Sequence, residues 1–196
     1  AKIGDGGTTN YCEIKADGEI NLHGTARVKK KVMIGTADLG KGGTKFDEIQ
    51  IGDYTAWEAD IGDEAVIVFD APTDVALGTD VDVVVVIGNQ EPYSDNSAET
   101  NWGCDWSATP HDGTEALDSP THSGSDTTGD QNASTVSKSV NEVKVVTIPG
   151  ASLSGSDALG LRIKRIALVG GTNPTAKPFI LHAHVVYTSN KLGEAT

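Results

Sequence analysis

The sequence predicts an all-β, single-domain β-sandwich, with a jelly roll as the favoured architecture, and three observations predict it. Its apolar runs are short and rich in β-branched residues, which are stiff at χ1 and suit a pleated backbone. Clusters of Gly, Asp, Asn, Ser and Pro separate those runs, with 23 glycines in 196 residues. No stretch shows the 3.6-residue apolar period of an amphipathic helix. A chain of this length supports one sizeable core, although hydrophobic residues make up only 37% of it.

The elements follow in order. Residues 1–10, "AKIGDGGTTN", are polar and Gly-rich and are expected to form a flexible arm. They hold no apolar core of a signal peptide, and no stretch of the chain reaches the roughly 18 apolar residues of a membrane span. In "YCEIKADGEINLHG" two short strands flank Ala16-Asp17-Gly18-Glu19, where Asp-Gly signals a hairpin. "ARVKKKVMIG" is a strand anchored by Val28, Val32 and Ile34 with its lysines facing out. Ala65–Phe69 is a strand stopped by Pro72. "VDVVVVIGNQ" (Val81–Gln90) is apolar on both faces and takes a central position.

In "WGCDWSA", Trp102, Cys104 and Trp106 share one face by period-two alternation. Residues 107–137 hold few apolar anchors and are expected to form a long loop, mobile or in contact with a partner. "NEVKVVTIPG" and "ALGLRIKRIALVGG" are strands, the second placing Leu159, Leu161 and Ile163 on one face. "FILHAHVVYT" is the last strand, with Leu181, Ala183, Val185 and Tyr187 toward the core. The sandwich therefore spans 11–190, and 191–196 form a tail.

Charge divides the chain. Residues 1–45 carry a net +3, residues 46–137 contain twenty Asp/Glu and no Lys or Arg, and residues 138–196 carry a net +4, within a total of −13. The acidic portion repels nucleic acid, and no nucleic-acid partner is expected. If an acidic surface is the partner, the basic contacts fall on Lys2, Arg27, Lys29, Lys30 and Lys31. The competing reading is that these lysines coat the outer face of a sandwich strand.

Chemistry is sparse. The chain has no GxSxG, Walker, GxGxxG or HExxH motif, and no enzyme activity and no cofactor are expected. His182 and His184 lie on one face of a strand and are the best metal-ligand pair, but a third ligand, for example His23 or His111, would have to come from elsewhere. The favoured reading is ordinary surface or interface histidines with no metal. The Asp-rich stretch after His111 lacks calcium-loop spacing. Trp102 and Trp106 are candidate ligand-stacking residues, against the commoner reading of core tryptophans. Cys12 and Cys104 are expected as reduced thiols, with a bridge between them left open.

Three stretches together carry a family resemblance: "GEINLHGTARV", Gly155–Arg162 and "HVVYTSNKLGEAT". They resemble small structural proteins encoded near the head genes of tailed phages. In that family an "LHG-x-AR" strand opens the domain, a Trp-bearing strand lies mid-chain and "V-x-Y-x-x-(D/N)-x-LG" closes it. The matching positions are Leu22, His23, Gly24, Ala26 and Arg27, then Trp102, then Val185, Tyr187, Asn190, Leu192 and Gly193. The long Ser/Thr/Asp segment departs from the pattern. The resemblance implies a jelly-roll-like capsid decoration or cement protein that binds the major capsid protein lattice. It implies a homo-oligomer, dimer or trimer, assembled in the host cytoplasm and located on the virion surface, with no membrane partner. A carbohydrate- or receptor-binding virion module is the alternative.

Overall fold

A computed structural model describes residues 1–4, 9–24, 27–34, 40–41, 44–76, 78–91, 98–133, 136–154 and 157–189. It is built of strands; helix among the described residues is limited to a 3-10 turn at Gly150–Ser152. No helix among them is long and apolar enough to cross a membrane.

Three strands stand apart from the rest. β1 (Lys2–Gly4), β2 (Tyr11–Ile14) and β3 (Ile20–His23) form their own antiparallel sheet in the order β1-β2-β3. The β2–β3 turn closes as its Asp-Gly predicts, with the Lys15 amide donating to the Glu19 carbonyl at 2.9 Å. The expected flexible arm at 1–10 is corrected in part: residues 2–4 pair with Tyr11–Glu13, because Ile3 and its neighbours find an open ladder on β2. Gly24, which ends the "INLHG" strand, sits at φ +69°, and a Cβ there would lie 2.2 Å from the Thr9 carbonyl oxygen. Only glycine fits that position.

The chain then enters the sandwich. β4 (Val28–Ile34) precedes two short strands, β5 (Gly40–Lys41) and β6 (Thr44–Lys45), and a hairpin of β7 (Asp47–Ile51) and β8 (Tyr54–Glu58). Seven long strands follow: β9 (Asp63–Asp70), β10 (Val81–Asn89), β11 (Glu99–Thr109), β12 (His122–Asn132), β13 (Val140–Ile148), β14 (Ala158–Ile166) and β15 (Pro178–Ser189).

One sheet has the order β13-β10-β15, with β4 beside the C-terminal half of β15 and β8-β7 beside its start. The other has the order β12-β11-β14-β9, edged by β5 and β6. Leaving the hairpin aside, β4 pairs with β15, β9 with β14, β10 with β13 and β11 with β12. First pairs with last and so on inward, so the eight strands are one long antiparallel ribbon wound on itself. That nesting is the jelly roll.

Side chains from both inner faces fill the core. Val81, Val83, Val85 and Ile87 of β10 meet Trp102, Cys104, Trp106 and Ala108 of β11 and Leu159, Leu161 and Ile163 of β14. The period-two readings of β11 and β14 hold. β15 departs from its reading: the register slips by one residue opposite Val86/Ile87, so Ile180 enters the core and Leu181 turns outward. A β-bulge of this kind inverts the facing of every residue before it.

The expected loop at 107–137 is also corrected. β11 runs to Thr109, and residues 122–132 form the eleven-residue edge strand β12. The sequence "HSGSDTTGDQN" hides it because an edge strand over a finished core needs few apolar side chains. Between β11 and β12 the loop is reduced to 110–121. The expected tail at 191–196, and Ala26, Asn190, Leu192 and Gly193, lie outside the described residues.

Candidate functional site

The outer face of the valine strand answers why four valines stand in a row. Val83 and Val85 point into the core, but Val84 and Val86 on the opposite face are also buried, at 9% and 5% exposure. Side chains arch over them. Lys31 on β4 and Glu142 on β13 meet at 2.6 Å, although β15 and β10 lie between their strands. Beneath this pair His184 is fully buried, and Val84 is its cross-strand neighbour.

His182 and His184 therefore do share the outer face, with ring centroids 6.0 Å apart, but His184 is not a surface residue. Neither of its ring nitrogens has a hydrogen-bond partner among the described residues, and Nε2 lies 3.9 Å from Glu142 Oε1. The proposed third ligands are elsewhere: His23 pairs with Glu13 at 3.2 Å and stacks on Tyr11, and His111 faces Asp70 at 3.5 Å. Among the described residues no group of three His, Cys, Asp or Glu is placed to hold a metal.

Burial, reinforced by the Lys31 ammonium and opposed by Glu142, holds both imidazoles below the ordinary histidine value. The unfolded chain takes up these protons near about pH 6.5, and the folded chain does so only at lower pH. Folding stability therefore falls as pH drops through that window. His184→Leu is expected to flatten the stability slope between about pH 7 and pH 5, read from urea midpoints across a pH series. A slope identical to wild type would place the acid sensitivity in other groups.

The basic residues separate. On β4, positions 28, 30, 32 and 34 share one face, and Ile34 enters the core. Lys30 follows it inward to the buried Asp74, which corrects the expectation of outward lysines. Lys31 is held by Glu142. Arg27 and Lys29 are exposed, and exposed Lys2 sits over the Tyr11 ring at 4.5 Å. The five cations thus do not form one patch: Lys30 and Lys31 are engaged within the fold.

Trp102 is fully buried, and Trp106, though it lines a surface depression beside Ser107, is only 7% exposed, so neither offers an open ring face to a ligand. This corrects their candidacy as stacking residues; both rings fill the space between the sheets. Cys104 is buried in the same layer, where burial pushes its thiol up to about 12. Cys12 is half-buried in the small sheet, and both cysteines are free.

Two of the surface depressions formed by the described residues lie on outer sheet faces. One, of about 290 Å³, lies on the outer face of the second sheet, where Ser107 and Gly160 leave room between Val66, Asp105 and Arg162. Lys164 binds the Asp105 carboxylate through both oxygens at 2.9 Å. The other, of about 230 Å³, is apolar and lies beside the start of β15. Sequence reasoning missed both, and missed Glu142 and Asp74, because each depends on which strands become neighbours.

No family model and no curated protein matches the chain. Among solved structures it is similar to the xylan-binding module CBM15, at 12% identity and a TM-score of 0.43, over 82% of this chain and 97% of that one. It is also similar to chains in structures of infectious bursal disease virus. The Gx strain chain is 12% identical at a TM-score of 0.39, over 87% of this chain and 35% of that one. The Gt strain chain is 13% identical at 0.37, over 87% and 34%. This chain spans about a third of the virus chains. Likenesses at this level assign neither ligand nor partner.

Proposed function

We propose that this protein is a non-enzymatic structural component of a tailed-phage virion, a decoration protein that binds the outside of a capsid lattice through its N-terminal sheet. The observation that carries the reading is that sheet. It bears the family-like strand "INLHG", yet among the described residues it shares no ladder with the sandwich. Its strand residues are all half-buried or exposed, with Ile3 at 65% and Ile14 at 40% exposure. Three short strands without a packed face are marginal in water. Docking on a partner surface supplies the missing burial, and many copies on a lattice multiply the effect on shell stability. Lys2, Arg27 and Lys29 remain the cations available to an acidic shell.

Co-sedimentation with capsids prepared without the protein tests this. Wild type is expected to pellet with them, and Ile3→Asp/Ile14→Asp is expected to bind at least tenfold more weakly with an unchanged thermal transition of the sandwich. Failure of the wild type to bind would end the capsid reading. Equal binding by the double variant would move the contact off the small sheet.

The polar groove around Ser107, Gly160, Asp105 and Arg162 supports a second reading, a glycan- or receptor-binding module. With Trp102 and Trp106 buried, such a module would recognise its ligand through hydrogen bonds. Glycan-array binding by the isolated protein, lost in Arg162→Ala, would favour it.

A further inference from the structure

Residues 110–121, between β11 and β12, form a loop with internal order. The Thr114 amide donates to Asp112 Oδ1 at 2.9 Å, the Thr121 amide to Glu115 Oε2 at 2.9 Å, and the Ser119 amide closes a turn on the Ala116 carbonyl at 3.1 Å. That turn displays Leu117, which is 78% exposed, between Ala116 and Asp118, with Glu115 one residue further. An apolar knob is thus held out on an ordered tip with carboxylates on both sides.

A matching hole exists on the same molecule. Ile51, Tyr54, Val140, Phe179, Leu181 and Lys138 line the 230 Å³ pocket. Phe179 lies over Gly88, where a Cβ would meet its ring at 2.4 Å, so the floor is closed by an aromatic face. Tyr54 and Val140 wall it while 65% and 43% exposed. Lys138 stands at the rim with φ at 57°, the one non-glycine residue with positive φ among those described. No described residue forms an ion pair with it. This conformation is disfavoured for lysine. It is kept in a turn whose amide donates to the Asn89 carbonyl at 2.8 Å.

Knob and hole cannot meet within one chain. The loop adjoins the start of β14, since Thr109 pairs with Ala158 and Ala158 with Asp70. The pocket lies where β10 ends and β13 and β15 begin, past the far end of β14. Nine residues of strand separate the two ends by roughly 30 Å.

We propose that the chain self-associates head to tail, with Leu117 of one copy seated in the Tyr54–Val140–Phe179–Leu181 pocket of the next and Glu115 or Asp118 facing Lys138. An apolar knob flanked by carboxylates meets an apolar pocket rimmed by a lysine, and a pre-ordered tip loses little freedom on docking. The contact is heterologous, so it closes into a ring or propagates as a chain of copies. It goes beyond capsid attachment and holds or fails independently of it.

Sedimentation equilibrium of the full chain, from micromolar to near-millimolar concentration, tests the contact. Wild type is expected to associate reversibly, and Leu117→Asp and Val140→Asp are each expected to weaken association at least tenfold. Both positions are exposed, so unchanged circular dichroism and thermal transitions should show intact folds. Mixing the two variants is expected to yield a one-to-one dimer, because one retains the pocket and the other the knob. A wild type that stays monomeric throughout would overturn the proposal. So would an association constant unaffected by Leu117→Asp, or a mixture that fails to pair.

Discussion

Trp102→Ala is expected to destabilise the fold by about 3–5 kcal/mol, the range for truncating a large aromatic side chain in a packed core. The ring is fully buried, its edge meets Phe46 at 6.4 Å and 89°, and Nε1 donates to Thr100 Oγ1 at 3.1 Å. Removing it leaves a cavity between the sheets and leaves the Thr100 hydroxyl, on a residue 2% exposed, without that donor. For a domain of this size each kcal/mol moves the thermal midpoint by roughly 2–4 °C, so a loss of about 10 °C is expected. Trp102→Phe, which retains most of the volume, is expected to cost clearly less. Thermal and urea unfolding measure both. A near-neutral Trp102→Ala would remove the ring from the core and restore it as a ligand-stacking residue.

Asp74→Ala is expected to cost on the order of 3 kcal/mol. Asp74 lies in the connection between β9 and β10 and is 4% exposed. Its carboxylate accepts hydrogen bonds from Tyr187 Oη at 2.8 Å and Ser189 Oγ at 2.7 Å, and from Lys30. It thereby ties β4, β15 and the connection together. Truncation would deprive two buried hydroxyls of this acceptor, at about 1–3 kcal/mol each, whereas Lys30 can turn to water and adds little.

Burial by itself would raise this carboxyl, but hydrogen bonds from Lys30, Ser189 and Tyr187 outweigh it and hold it below the ordinary carboxylate range. Its stabilising contribution is then present at neutral pH, above the unfolded value of about 4. It is lost as pH falls through the lower folded value. Asp74→Asn is expected to remove that acid-dependent part, seen as a flatter stability curve below about pH 4. An acid limb unchanged from wild type would show that other carboxylates dominate it.

How much of this was legible beforehand differs between fold and site. Alternation in "WGCDWSA" and "ALGLRIKRIAL" was sufficient to put Trp102, Cys104, Leu159, Leu161 and Ile163 in the core, because side chains on a strand must alternate. Asp17-Gly18 was sufficient to mark the first hairpin, since few dipeptides take that turn without strain. β12 was not legible: its stability comes from a ladder to β11, and backbone hydrogen bonds leave no trace in side-chain periodicity. The bulge in β15 was invisible for a related reason, since a one-residue slip is decided by the partner strand.

The sequence by itself therefore determined the class of fold, the strands that line the core and the division of charge along the chain. These depend on local backbone preference and on each residue's own solubility. The tertiary structure alone decided which charges remain available. It turned Lys30 onto Asp74, drew Lys31 across two strands to Glu142, buried His184 beneath that pair and set Leu117 and its complementary pocket at opposite ends. Such pairings join residues far apart in the chain, 44 positions for Lys30 and Asp74 and 111 for Lys31 and Glu142, and only the winding of the eight strands sets them.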